Sequence, residues 1–251
     1  MANLQDIRRR IRSVKSIQQI TNAMDMVATS RLRRAKEAAN NNKPYAEKTA
    51  AVIRSVAAAA TDVTHPLLTQ HAEGKRIILA MAADKGLAGA YSSNALKAAM
   101  ALIEDSANTE IVAVGRKSRD FFKNRGFTIH SEFIGMSERP AAHHAQQISD
   151  VLIRAFTGGG VKEVYMVYTR FVSAITCEPE TVKLLPFEKL VDDGHTQAQY
   201  IYEPNAEEVL GALLPQYLFT TIYAALLQSA ASELSSRMNA MSNATDNAGE
   251  L

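Results

Sequence analysis

At 251 residues, with 47% apolar and 22% charged residues, the chain has the apolar surface for a full core, which excludes a disordered or low-complexity protein. Its single cysteine, Cys177, excludes an intramolecular disulfide framework. The net charge of +2 hides an asymmetry: residues 1–43 hold ten Lys or Arg against three Asp or Glu, a basic stretch of +7 beside a remainder of −5.

That basic stretch is the first predicted element. From Ala2 to Lys43 there is neither Gly nor Pro, so nothing in the backbone interrupts a helix. Leu4, Ile7, Ile11 and Val14, then Ile17, Ile20, Met24 and Val27, recur in steps of three and four, with one residue missing from the rhythm between Val14 and Ile17. This is a narrow coiled-coil seam carrying a stammer. A stripe so narrow needs a partner helix, because a lone helix gains little from propensity. Pro44 predicts a kink, after which Val52, Ile53 and Val56 continue the pattern to the break at His65-Pro66.

The middle alternates strand and helix. Strand patterns lie near Arg76–Ala82, Glu110–Val114, Phe127–Ile134, Val164–Thr169 and Thr181–Leu185. Helical patterns run over Ser92–Glu104, Arg116–Asn124 and Ala141–Phe156, the last stopped by Gly158-Gly159-Gly160. The order predicts an open, mostly parallel, Rossmann-like α/β sheet with helices on its faces. Val209–Ser232 is uncharged but holds Pro215, Gln216 and Gln228, and reads as a buried helix rather than a membrane span. Pro215 is placed as the first residue of a long last helix. Within it Leu227, Ala231, Leu234, Met238, Met241, Thr245 and Ala248 keep a four-three spacing.

The two ends are therefore expected to pair as one antiparallel two-helix shaft. The predicted organisation is a shaft helix over 1–60, a central α/β domain over 75–195 and a second shaft helix over 205–251. Chemistry is sparse. The turn Asp84-Lys85-Gly86-Leu87-Ala88-Gly89 gives Gly-x-x-Gly, not the dinucleotide fingerprint, and no Gly-Lys-Ser/Thr P-loop occurs. No Gly-x-Ser-x-Gly elbow is present, and no cofactor is expected. The residues alone leave open a mechanical shaft protein, a nucleotide-binding α/β enzyme with coiled-coil extensions, and a basic coiled-coil adaptor for nucleic acid. Against the last, Arg8–Arg12 is interleaved with seam residues instead of lying beyond them.

Several motifs carry a family resemblance. Ile7-Arg8-Arg9-Arg10-Ile11-Arg12-Ser13-Val14-Lys15, Ile20-Thr21-Asn22-Ala23-Met24-Asp25-Met26-Val27-Ala28 and Asp84-Lys85-Gly86-Leu87-Ala88-Gly89 resemble the gamma subunit of F-type rotary ATP synthases. Tyr200-Ile201-Tyr202-Glu203-Pro204 and Arg237-Met238-Asn239-Ala240-Met241 match in order. The resemblance implies a non-catalytic rotor that couples ion-driven turning of a membrane c-ring to ATP synthesis or hydrolysis in the catalytic subunits. The implied partners are the alpha, beta and epsilon subunits and the c-ring, with no nucleic acid, small-molecule substrate or direct membrane insertion. By motif, Met24, Lys85, Arg8, Arg9, Arg33 and Arg34 would face the catalytic ring, and Tyr200, Tyr202 and Glu203 the c-ring and epsilon. The implied location is peripheral, on the cytoplasmic face of a bacterial plasma membrane. In the family the last helix continues to an Ile-Thr-x-Glu motif that this sequence does not contain.

Overall fold

The computed structural model describes residues 4–59, 65–187, 203 and 205–251. Its elements are α1 (Leu4–Ala59), β1 (Lys75–Met81), α2 (Tyr91–Ala101), β2 (Thr109–Val114), α3 (Arg116–Lys123), β3 (Thr128–Phe133), α4 (Ala142–Thr157), β4 (Val161–Phe171), β5 (Cys177–Leu185) and α5 (Ala206–Glu250). The five strands form one sheet in the order β3-β2-β1-β4-β5, with parallel pairing throughout except for the antiparallel edge strand β5. Pro179 sits in β5, where an edge tolerates a residue without an amide hydrogen.

Strand periodicity sends alternate residues of β1 to opposite faces. Ile78 and Ala80 join Leu96, Ile111 and Phe122 under α2 and α3. Ile77, Leu79 and Met81 join Ile148, Leu152 and Phe156 of α4 and the lower half of α5. Gly115 connects β2 to α3 at φ 86°, and a Cβ there would lie 2.1 Å from the Ala82 carbonyl oxygen. Only glycine fits that approach.

α1 and α5 run antiparallel along each other. Tyr45 accepts a hydrogen bond from Gln216 at 3.1 Å, Leu32 packs with Ala231 and Leu234, and the Thr245 hydroxyl donates to Thr21 at 2.7 Å. The buried or half-buried face of α1 runs from Val14 through Gln18, Thr21, Asp25, Ala28, Leu32, Ala35 and Ala39, and on to Ile53 and Val56. Those positions keep the four-three heptad without interruption, so there is no stammer.

This corrects the expected seam. Ile20 and Val27 are 56% and 51% exposed, because Thr21 and Ala28 one residue on take the contact with α5. Short side chains let the two backbones approach closely, and the larger apolar groups are displaced to a flanking stripe. Leu4, Ile7 and Ile11 are in heptad phase with Val14 and are exposed, while Gly249 of α5 stands beside Gln18. On α5, Leu227, Leu234 and Met241 are buried, and Met238 packs partly buried against the Leu32 cluster.

A second correction concerns Pro215, which lies inside α5 instead of opening it. Leu210, Leu214, Leu218 and Ile222 form an unbroken buried row across it. Burying each such side chain contributes roughly 1.5–3 kcal/mol, enough together to outweigh the ~3 kcal/mol cost of an internal proline. The start of the helix is instead set by Asn205, whose side chain accepts from the Glu208 amide at 2.9 Å. α5 is long and apolar enough to cross a membrane by length and composition, but that buried row belongs to the α/β core.

Candidate functional site

The C-terminal edge of the parallel strands is where an open α/β sheet ordinarily receives a ligand. At that edge, in the turn after β1, stands Asp84. Its carboxylate accepts from the Arg116 amide that opens α3 (3.2 Å) and from the Ser137 amide (3.1 Å), while its own amide donates to the Ser137 hydroxyl (3.0 Å). Burial pushes the Asp84 carboxyl up, but the amides of Gly135, Ser137 and Arg116 outweigh that and hold it below the ordinary Asp value. Two backbone donors at this edge are thus taken up by a side-chain carboxylate.

The polar chemistry instead gathers where the shaft crosses the domain. Glu138, in the loop between β3 and α4, is met by cations from three elements. Arg31 of α1 bonds one carboxylate oxygen, and Lys85 of the β1–α2 turn and Arg237 of α5 approach the other, each at 3.3 Å. Burial raises the Glu138 carboxyl, but Arg237, Lys85 and Arg31 together leave it below its usual value. Arg237 also donates to Glu233 at 2.7 Å and reaches the Gly86 carbonyl at 3.4 Å. Glu233 is fully buried, and burial raises its carboxyl despite the arginine. Two carboxylates on one guanidinium are thus displaced in opposite directions.

On the other side of α5 the chain is bonded to the β4–β5 hairpin. The Thr169 amide donates to Ser229 (3.3 Å), the Phe171 amide to Gln228 (3.1 Å), and the Ser232 hydroxyl donates to the Thr169 carbonyl (3.0 Å). Ser235 and Asn239 both donate to the Ala174 carbonyl at 2.7 Å. Cys177 lies beneath this ladder, half-buried, with burial pushing its thiol up and away from reactivity.

Two grooves flank the junction. One, of about 340 Å³, is lined by Met24, Val27 and Arg31 of α1, by Lys85 and Leu87 of the turn, and by Arg237. Leu87 is held exposed at φ 64°. The other, of about 330 Å³, lies between Arg31, Arg34 and Arg139, with Ala35, Ala38 and Leu227 in its wall. So Met24 and Lys85, far apart in sequence, line one groove, and Arg34 lines its neighbour. Arg33 is exposed on α1, as are Arg8 and Arg9 nearer its start. Glu203 is exposed, and Tyr200 and Tyr202 lie outside the described residues.

Sequence reasoning missed Glu138, Glu233 and the Ser229–Asn239 ladder. The i,i+4 spacing of Glu233 and Arg237 was a readable signal. A lone glutamate before Arg139-Pro140 gave none.

Comparison with known proteins supplies the context. Residues 3–251 match the ATP synthase family described as ATP-synt. The chain is 41% identical to the ATP synthase gamma chain of Pelotomaculum thermopropionicum and 43% identical to that of Desulforamulus reducens, covering 100% of this chain and 89% of each relative. Among solved structures it resembles the central stalk and c-ring assembly of the Tetrahymena thermophila mitochondrial ATP synthase. That match has a TM-score of 0.67 at 25% identity, over 90% of this chain and 99% of the other. The rotor of the Euglena gracilis mitochondrial ATP synthase shares the fold, with a TM-score of 0.65 at 14% identity over 97% of this chain and 91% of the other.

Proposed function

The chain belongs to the ATP synthase gamma-chain family, and on that premise we propose that the groove holding Met24 and Lys85 is where a moving lever of the catalytic ring bears on this shaft. The protein is a non-catalytic subunit, the central rotor shaft of a peripheral, membrane-associated complex. The single observation that supports the groove as the bearing point is geometric. The exposed stripe of Ile17, Ile20 and Val27 descends α1 into the same recess that presents Lys85 and Leu87. An apolar track ending in a cation offers an acidic, partly apolar lever both contacts at once.

α1 is on the order of 80 Å long at the standard helical rise, long enough to pass through a globular collar. Paired with α5 it is an asymmetric rod, so each catalytic subunit of the ring meets a different face as the rod turns. That orientation is the variable that couples the sites. In this reading Arg8, Arg9, Arg33 and Arg34 face the alpha and beta subunits through individually weak, screened contacts that suit sliding. Tyr200, Tyr202 and Glu203 face the epsilon subunit and the c-ring. The complex sits on the cytoplasmic face of a bacterial plasma membrane, a placement supported by likeness to the gamma chains named above.

The test is reconstitution with alpha and beta subunits and a bead attached to the α/β domain. Addition of ATP is expected to turn the bead in one direction. A bead that stays still while the assembled ring hydrolyses ATP would overturn the reading. Lys85→Glu should reduce the torque by placing like charge against the lever; unchanged torque would remove the groove from the contact.

A further inference from the structure

α5 and α1 are tied to the α/β domain in different ways. α5 is bonded to the domain over 228–239 by Gln228, Ser229, Ser232, Ser235 and Asn239, and its lower half is part of the core. At the same level α1 lies outside α5; Phe171 of β4 packs against the Leu32 cluster, and charged side chains on either side of Leu32 also meet the domain. Arg31 bonds Glu138, and the Lys36 ammonium stands 5.4 Å from the centre of the Phe171 ring.

Over this part of the shaft the α1–α5 seam is Thr21, Asp25, Ala28, Leu32 and Ala35. Small side chains permit close approach but interdigitate little, so they resist rolling of one helix about the other poorly. A contact in the seam lies on the line joining the two axes and has almost no lever arm against such rolling. A bond made off that line acts at about 5 Å, half the diameter of a helix. Arg31 is placed off the seam, next to Leu32, and its partner belongs to the domain.

We propose that Glu138 is a torsional clamp: by holding Arg31 of α1, Arg237 of α5 and Lys85 of the domain on one carboxylate, it makes both shaft helices and the α/β domain turn as one body. Glu138 is a positioning residue, and its value for function rests on the rotor reading above. Its side chain is 13% exposed and that of Arg237 8%, so this junction is screened less than an open surface pair. Removing the charge leaves Arg31 and Lys85 without their shared counter-ion beside Arg237, which keeps Glu233, and so releases α1 from the domain at this point.

The experiment uses the full chain carrying Cys177→Ser, with spin labels at the exposed positions Glu37 on α1 and Lys123 on α3. The distance distribution between them is expected to broaden in Glu138→Gln and in Arg31→Met, and to broaden no further when both are present. Arg31→Lys, which keeps the charge, should retain the narrow distribution. Glu110→Gln, which removes a carboxylate bonded to Lys75 and His130 elsewhere in the sheet, is the control expected to change nothing. Should Glu138→Gln fail to fold, the peripheral Arg31→Met carries the same test.

In the complex with alpha and beta subunits, a bead on the α/β domain should show a softer torsional spring in the same variants. Unchanged distributions and unchanged stiffness would overturn the clamp. So would broadening in Glu138→Gln alone, because the clamp requires α1 to be one of its ends. If the wild-type bead does not rotate at all, the rotor reading fails, and the distance distributions still decide the clamp.

Discussion

The two shaft helices distribute their apolar residues in opposite ways. α5 turns Leu210, Leu214, Leu218 and Ile222 inward, where they are 0–3% exposed, and its stretch 225–237 is mostly buried between α1, the β4–β5 hairpin and the Glu138 loop. α1 turns Thr21, Ala28, Ala35 and Ala39 toward its partner and leaves Ile17, Ile20, Met26 and Val27 facing outward. A helix built only for its own fold wastes burial by this arrangement. The difference indicates that α5 is the structural member and α1 the presenting member: α5 is stabilised by the domain, and α1 takes its position from α5 and spends its large side chains elsewhere.

The strongest way to break that comparison is to damage the row on α5. Leu218→Asp buries an unpaired charge at a fully buried site in the main core, and should cost several kcal/mol and prevent cooperative folding. Thermal melting followed by circular dichroism reads the effect. A modest loss would mean that α5 is not part of the core.

The close α1–α5 approach is tested next. Ala231 is fully buried against Leu32, and Ala231→Leu should separate the helices at a cost of about 1–3 kcal/mol. Denaturant melts should show the loss, and Leu32→Ala in the same chain should restore part of it. Purely independent effects of the two changes would argue that the helices do not touch there.

The two carboxylates on Arg237 should then part company with pH. Glu138 lies below its ordinary value in the fold, so its stabilisation is present above the unfolded value and is lost as pH falls through the lower native one. Glu233 is raised, so its contribution is present below the unfolded value and is lost as pH rises through the native one. Glu138→Gln should therefore lower stability near pH 7 by about 1–3 kcal/mol and flatten the acid limb. Glu233→Gln, which keeps an acceptor for Arg237 and removes a desolvated charge, should not lower it. Melting temperatures between pH 4 and pH 8 distinguish the two, and equal losses would reject the opposed assignments.

What the sequence made legible follows from periodicity and breakers. Strand alternation, the Gly158–Gly160 stop and the heptad over Leu227–Met241 were readable because each is a local pattern. The α1 seam was misassigned by one residue because hydrophobicity marks the largest side chains, whereas close helix pairing selects the smallest. Pro215 was misread because a tertiary row of leucines overrode a local rule. Glu138 had no signature at all: its partners Arg31, Lys85 and Arg237 lie 53–107 residues away, and only the fold assembles them.

The smallest expected effect on stability sharpens the comparison most. Ile20 is 56% exposed and Val27 51%, so Ile20→Ser with Val27→Ser should change the stability of the isolated chain by no more than about 0.5 kcal/mol each. Exposed apolar groups give up little burial when truncated, and serine interferes only weakly with a helix already held by Thr21 and Ala28. The same pair should weaken assembly with alpha and beta subunits, since the stripe would no longer exchange water for protein on entering the ring. Side-by-side melting and assembly by analytical ultracentrifugation separate the two quantities. A large loss of stability would place these residues in the chain's own core after all. Unchanged stability with unchanged assembly would leave the outward stripe without the partner that its place on α1 implies, and α1 would lose its standing as the presenting helix.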